Sequence, residues 1–238
     1  MLEGFLEALP RLASDSNVGS VIVTGAGKAF CAGGDVKGMA EASNEGGTSL
    51  QQYDARVHLQ RRNQRDTAGK LYELPKPTIA ALPGPAAGAG LSLALSCDLR
   101  YASPNAIMTT AFARVGFSGD YGGSYFMSRL IGSAKARELY LLSEKVEMVE
   151  AERLGLVNGV FPEESLQDDV HAIARQLADG PTVAYRYMKE NLNRAVNGEM
   201  GECLDMEAAH HIHCGQTRDH REAARAFVEK REPVFEGY

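Results

Sequence analysis

Hydrophobic residues recur along the chain with two different spacings, which predict the helices and the strands. Leu2, Phe5, Leu6 and Leu9 share one face of a predicted N-terminal amphipathic helix. Short apolar runs between glycine, proline and polar residues predict strands at 18–24, 78–82, 98–103, 106–111 and 157–161. A helical spacing predicts further helices at 91–97, 123–131, 133–142, 163–179, 182–196, 201–214 and 220–231.

The order of these elements predicts an α/β core over residues 1–160 and a helical region over residues 161–238. Alternation of strands and helices predicts a largely parallel sheet with helices on its faces. The polar segment 35–75 is predicted to be a mobile helical segment that ends before Pro75 and Pro77. Asp219 and Glu222 have the spacing of a capping box for the last helix.

Glycine is concentrated in three loops, at 25–38, 84–90 and 116–123. Grouped glycines mark places where the backbone turns sharply or approaches a ligand. Two of the loops begin like a dinucleotide-binding motif, but its third glycine would fall at Phe30 or at Leu93. Neither loop ends in the Gly-Lys-Ser/Thr of a phosphate loop, so tight turns remain the alternative explanation.

Composition narrows the class of protein further. The formal net charge of −6 over 238 residues argues against broad nucleic-acid binding. The four cysteines are widely spaced and predict reduced thiols rather than a disulfide framework or a zinc site. The apolar runs are far shorter than the roughly 20 residues that span a membrane, and no secretory signal is apparent, so we expect a cytoplasmic protein.

Six motifs spread along the chain together resemble the signature of the crotonase (enoyl-CoA hydratase/isomerase) superfamily. They cover nearly the whole sequence in the family's order: Phe30-Cys-Ala-Gly-Gly-Asp35, Gly84-x-Ala-x-Gly-x-Gly90, Gly116-x-x-x-Asp120-x-Gly-Gly123, Arg129-Leu-Ile-Gly132, Ala151-x-x-x-Gly155-Leu-Val157-Asn and Asp219-His-x-Glu222 with Ala226-Phe-x-Glu-Lys230. The resemblance implies a crotonase-like ββα spiral, with C-terminal helices that assemble a homotrimer or a dimer of trimers. It also implies an acyl-CoA thioester substrate and no cofactor apart from the CoA of that substrate.

Members of this superfamily usually carry a strand pair before the first helix, and that pair helps to frame the CoA adenine. This sequence begins inside the predicted helix. We expect either that it is a piece of a longer sequence or that its CoA site is incomplete.

By the same resemblance, the backbone N–H groups of Gly34 and Ala89 form an oxyanion hole. A thioester carbonyl that becomes an enolate gains negative charge on oxygen, and two pre-aimed N–H donors stabilise that charge. The residues implied to lie along the CoA are Ala32, Gly34, Asp35, Val36, Lys37, Gly88 and Ala89.

The sequence departs from the hydratases of the family at two positions. Their two catalytic glutamates would fall at Ser92 and Phe112, which cannot ionise. Asp120 instead matches an aspartate of epoxyphenylacetyl-CoA isomerases, dienoyl-CoA isomerases and chlorobenzoyl-CoA dehalogenases. We therefore expect a double-bond isomerase with Asp120 as its acid/base, while a hydratase and a non-catalytic acyl-CoA-binding subunit remain alternatives. A turn residue is the simpler role for Asp120.

Four potential metal ligands lie together near the end of one predicted helix: His210, His211, His213 and Cys214. On a helix Cys214 and His210 share a face, whereas His211 does not, and no nearby carboxylate completes a site. We expect no metal here and interpret the cluster as a helix surface or a subunit contact.

Overall fold

The computed structural model describes residues 1–35, 38 and 49–238. The strands in these residues are β1 (Val21–Thr24), β2 (Thr78–Leu82), β3 (Ala86–Ala87), β4 (Leu99–Ala102), β5 (Ile107–Thr109), β6 (Val146–Glu147) and β7 (Gly159–Val160). The α-helices are α1 (Leu2–Ser14), α2 (Leu50–Gln64), α3 (Lys70–Tyr72), α4 (Ala89–Leu95), α5 (Gly123–Leu142), α6 (Met148–Leu154), α7 (Leu166–Ala178), α8 (Thr182–Ala195), α9 (Met200–Cys214) and α10 (Arg218–Glu229). A π-helical turn, Arg65–Gly69, joins α2 to α3, and a 3-10 turn covers Phe112–Val115.

The larger sheet is parallel and has the strand order β1-β2-β4-β7. Every residue of β2 is buried, because both faces of the sheet are covered. Ile79 and Ala81 pack with Leu166 and Val170 of α7, whereas Leu82 on the other face belongs to the main core. This arrangement confirms the prediction of an α/β fold with a parallel sheet and a helical C-terminal region.

The second sheet is small and positions the glycine loops. It has the order β3-β5-β6, in which β3 is parallel to β5 and β5 is antiparallel to β6. A single bridge between Cys31 and Ala86 attaches the first glycine loop to β3. The short elements β3, β6 and α6 are too small for a periodic pattern and were missed by the sequence reasoning.

Several element boundaries differ from the predicted ones. The first strand begins at Val21 rather than 18, because Val18 closes a turn by donating its N–H to the Asp15 carbonyl at 3.1 Å. The predicted helix 91–97 begins earlier, at Ala89, and ends at Leu95. The break predicted between helices 123–131 and 133–142 is confirmed, since Gly132 has φ +78° inside α5. Residues 50–64 are helical as expected.

The predicted capping box of the last helix is wrong. Thr217 is the N-cap residue of α10, and its side chain accepts a hydrogen bond from the His220 N–H at 3.0 Å. The buried Asp219 carboxylate instead accepts hydrogen bonds from the backbone N–H groups of Glu236 and Gly237. It therefore fixes the C-terminal tail, which local spacing does not reveal.

Candidate active site

Two glycine loops lie backbone to backbone at the edge of the small sheet. The N–H groups of Phe30 and Cys31 donate to the Pro85 carbonyl at 3.1 and 3.3 Å, and the Ala87 N–H donates to the Cys31 carbonyl at 2.9 Å. Gly90 permits this approach, since a Cβ there would lie 2.2 Å from the Cys31 carbonyl oxygen. These contacts bring the first loop against the start of α4.

Gly34 and Ala89 line the same cavity, one from each of the two loops. Gly33 has φ +89°, and a Cβ on it would lie 3.5 Å from the Ala89 nitrogen, so residues 33 and 34 lie beside that nitrogen. Among the described residues, neither the Gly34 nor the Ala89 N–H has a hydrogen-bond acceptor. Both donors therefore remain able to bind a ligand oxygen.

The cavity beside these groups has a volume of about 500 Å³. Its wall is mainly apolar, which suits an acyl group. The apolar side chains in the wall include Leu2, Phe5, Leu93, Phe112, Val115 and Phe117.

Asp120 is the acidic residue in the described lining of this cavity. Its Oδ1 atom is buried and has no hydrogen-bond partner among the described residues. Burial raises the pKa of Asp120 above its usual range, because the charged carboxylate loses hydration. The negative charge of Asp120 in turn contributes to the raised pKa values of Tyr121 and Tyr140, after the larger effect of burial. An unpaired carboxyl group in an apolar wall can exchange a proton with a bound ligand.

Ser92 and Phe112 are the positions at which the sequence resemblance implies the two glutamates of a hydratase. The buried Ser92 hydroxyl donates to the Gly88 carbonyl at 3.3 Å. The Phe112 ring stacks on Tyr140 with 5.9 Å between the ring centroids. Neither group can transfer a proton as a carboxylate does.

The cavity brings together most of the residues singled out from the sequence. Ala32, Gly34, Gly88, Ala89 and Asp120 all line it. Asp35 is exposed and does not line it, and its Oδ1 accepts the Gly38 N–H at 3.1 Å. The predicted CoA contacts Val36 and Lys37 lie outside the described residues.

Sequence reasoning missed two glutamines that line the cavity. Gln60 and Gln64 lie one turn apart on α2. The Gln64 Oε1 atom accepts a hydrogen bond from the Tyr121 N–H at 2.5 Å. Their spacing of four residues in a polar segment was the available signal, because it places them on one helix face.

The histidine cluster packs against Tyr187, away from this cavity. The His210 ring stacks on Tyr187 at 4.2 Å, and its Nδ1 atom lies 2.6 Å from the Asn191 Oδ1 atom. Within residues 1–35, 38 and 49–238, no group of three or more His, Cys, Asp or Glu side chains could hold a metal ion. The helices in these ranges also include none that is long and apolar enough to cross a membrane.

Comparison with known proteins agrees with the fold and the cavity. The family model described as enoyl-CoA hydratase/isomerase matches residues 1–238. The 1,2-epoxyphenylacetyl-CoA isomerase of Escherichia coli K12 is 33% identical over 236 residues, which cover 97% of this chain and 86% of that protein. The short-chain-enoyl-CoA hydratase of Clostridium acetobutylicum is 33% identical over 229 residues, which cover 96% of this chain and 83% of that protein.

A solved structure shows the same architecture. The enoyl-CoA hydratase of Polaromonas sp. JS666 superposes with a TM-score of 0.89 at 31% identity, covering 98% of this chain and 88% of that one. The fold is thus the crotonase-like fold of this class of enzymes. The chain belongs to the enoyl-CoA hydratase/isomerase family.

Proposed function

We propose that this enzyme isomerises the double bond of an enoyl-CoA thioester, with Asp120 as its acid/base. One observation carries the proposal: the buried Oδ1 atom of Asp120 has no partner in the described structure and lies in the wall shared by the Gly34 and Ala89 N–H groups. A single carboxyl group is sufficient to move one proton from one carbon to another.

The two backbone N–H groups bind the thioester oxygen. When the α carbon loses its proton, negative charge passes to this oxygen and strengthens both hydrogen bonds. Removal of one such donor from other enzymes costs about 3 kcal/mol of transition-state stabilisation. Ala32, Gly34, Asp35, Val36, Lys37, Gly88 and Ala89 are proposed to contact the CoA, and no further cofactor takes part.

Asp120 carries the proton between the two carbons. Its carboxylate takes a proton from the α carbon of a 3-enoyl-CoA, and the C–H electrons form a dienolate. The same carboxyl group then returns the proton to the γ carbon, and the double bond moves next to the thioester. Atoms and charge balance without water or an oxidant.

The test is the turnover of trans-3-hexenoyl-CoA by Asp120→Asn. Turnover is measured from the absorbance of the conjugated thioester product. We expect turnover to fall by about a thousandfold, within the range that proton transfer contributes. Affinity for butyryl-CoA, measured by calorimetry, should stay nearly unchanged. Wild-type turnover of the variant would overturn the role of Asp120.

Water addition is the second candidate, because the hydratase of Clostridium acetobutylicum is among the relatives. Loss of the conjugated thioester of crotonyl-CoA would support it, whereas no loss together with turnover of trans-3-hexenoyl-CoA would exclude it.

A non-catalytic acyl-CoA-binding role predicts no exchange of the α-protons of butyryl-CoA with deuterated water. Exchange that depends on Asp120 would contradict that role.

We also propose that the protein assembles as a homotrimer or a dimer of trimers. Large apolar side chains are exposed on the C-terminal helices, which supports self-association. They are Met188, Leu192, Leu204, Ile212, Phe227 and Val228. Sedimentation equilibrium at the mass of a monomer would refute this assembly.

A further inference from the structure

The loop that carries Asp120, residues 118–122, has few hydrogen bonds to the rest of the protein. The bonds that flank it remain within its own segment, from the Phe117 N–H to the Phe112 carbonyl and from the Gly123 N–H to the Asp120 carbonyl. The Phe126 N–H of the adjacent helix α5 donates to the Gly122 carbonyl at 3.0 Å. Among the described residues, one hydrogen bond reaches the loop from an element that is distant in the sequence. It runs from the Tyr121 N–H to the Gln64 Oε1 atom, over 2.5 Å.

Tyr121 adopts a backbone conformation that needs support. Its φ of +48° lies in the left-handed region, which is unfavourable for a side chain other than glycine. Such a conformation persists when the surrounding structure fixes it. The bond from Gln64 fixes it at the residue that directly follows Asp120.

Gln64 itself occupies a fixed point of the fold. It is the last residue of α2, a helix without buried residues, and the π-helical turn begins directly after it. Thr67 and Ala68 of this turn are buried, and the Thr67 hydroxyl donates to the Asn63 carbonyl at 2.7 Å. Single π turns within helices occur frequently at functional sites. The anchored turn thus holds the Gln64 side chain against the loop.

We propose that Gln64 is a positioning residue, which holds the 118–122 loop through the Tyr121 N–H and keeps Asp120 in the cavity wall. The inference rests on the proposed role of Asp120 as acid/base. The chain offers a matched control in Gln60, which lines the same cavity one turn earlier. Gln60 is exposed, and Gln64 rather than Gln60 accepts the Tyr121 N–H, so loss of the Gln60 amide leaves that hydrogen bond intact.

The experiment compares Gln64→Met, Gln64→Glu and Gln60→Met in the full-length protein with trans-3-hexenoyl-CoA. Gln64→Met should lower kcat by about tenfold to a hundredfold with little change in KM, because a small displacement of a catalytic group slows the chemical step. Gln64→Glu should restore most of the lost kcat, since its carboxylate oxygen accepts the same N–H. Gln60→Met also removes an amide from the cavity lining, so any kcat loss that it shares with Gln64→Met reports the lining rather than the loop.

Amide hydrogen exchange tests the hydrogen bond without reference to catalysis. Peptides that cover 117–123 should exchange about tenfold faster in Gln64→Met and at the wild-type rate in Gln60→Met. Unchanged exchange in Gln64→Met would overturn the positioning role. So would equal losses of kcat in Gln64→Met and Gln60→Met, or no recovery in Gln64→Glu.

These outcomes separate the inference from the proposed function. If Asp120→Asn keeps full turnover, the acid/base role of Asp120 fails, while the exchange result still reports whether Gln64 holds the loop. If Gln64 acts through Asp120, the double variant of the two residues should be no slower than Asp120→Asn alone. Additive losses in the double variant would contradict action through Asp120.

Discussion

The Asp120 carboxyl group combines two properties that an exposed turn residue lacks. It is half-buried in the cavity wall that Gly34 and Ala89 also line, and its Oδ1 atom is left without a partner in the described structure. Burial raises its pKa because the charged form loses hydration. The raised pKa brings its protonated and ionised forms closer in free energy, which suits a group that both takes and returns a proton.

This pKa predicts the pH dependence of the reaction. The first step needs the carboxylate, so kcat/KM should fall as the pH is lowered through the pKa of Asp120. Because burial raises that pKa, the midpoint of this fall should lie at a pH above about 3.9, the pKa of an ordinary aspartate. Tyr121 and Tyr140 are the titratable groups that interact electrostatically with Asp120, and their own raised pKa values keep both neutral in this range.

A pH profile of kcat/KM with trans-3-hexenoyl-CoA provides the measurement. The residual activity of Asp120→Asn should lack the acidic limb. An acidic limb with its midpoint at or below the pKa of an ordinary aspartate would be inconsistent with a buried base.

At the scale of elements, the meeting of the first glycine loop with the start of α4 builds the donor pair. The contact is between backbones, and Gly90 lies at its centre. Small residues were recognised in the sequence as sites of close approach. Their actual neighbour, the Cys31 carbonyl, lies 59 residues earlier in the chain and is known from the structure alone.

Gly90→Ala should separate the two loops. The new Cβ would lie 2.2 Å from the Cys31 carbonyl oxygen, and one of the backbones must move. We expect a loss of about 2 kcal/mol in the free energy of unfolding, as for other overpacked sites, and a large loss of kcat/KM. Gly27→Ala is the control from the same loop, because a Cβ at Gly27 has no atom within 4 Å. The free energy of unfolding and kcat/KM of both variants should be measured by urea unfolding and turnover. Equal values for the two variants would rule out the close contact between Gly90 and the Cys31 carbonyl.

At the scale of the whole molecule, a partly buried ion pair connects the C-terminal helices to the sheet. The Lys189 Nζ atom of α8 donates to the Asp98 Oδ2 atom at 2.8 Å and to the Lys76 carbonyl at 3.2 Å. The same Asp98 oxygen accepts the backbone N–H and the hydroxyl of Thr78 at the start of β2. One carboxylate oxygen therefore joins the helical region to the first residue of a central strand.

Lys189→Met should lower the free energy of unfolding, although Lys189 does not line the cavity. The lysine is 8% exposed, and removing the cation leaves Asp98 without its charge partner. Because 27% of the Asp98 side chain is exposed, the loss should be smaller than for a fully buried pair, about 2 kcal/mol in the free energy of unfolding, measurable by urea titration. Lys135→Met removes a surface partner of Glu138 and should leave the midpoint nearly unchanged. Identical urea midpoints for the two variants would show that the Lys189–Asp98 pair contributes little to stability.

The sequence by itself determined the features that depend on neighbouring residues. The apolar run of β2, the apolar helix after the second glycine loop, the break at Gly132 and the grouped glycines all follow from local backbone preference and hydrophobic spacing. The same local motifs predicted the family, which the family model confirms. They also singled out Asp120, which lines the cavity. The sequence by itself could not predict the contact of Asp219 with the C-terminal tail or the very short strands.

Only the tertiary structure decided which distant groups meet. Gln64 and Tyr121 are 57 residues apart, and Lys189 and Asp98 are 91 residues apart. Such hydrogen bonds form because packing brings particular side chains together, and no period in the sequence records that pairing. For the same reason, the tertiary structure alone shows that the Asp120 Oδ1 atom is buried and has no partner among the described residues.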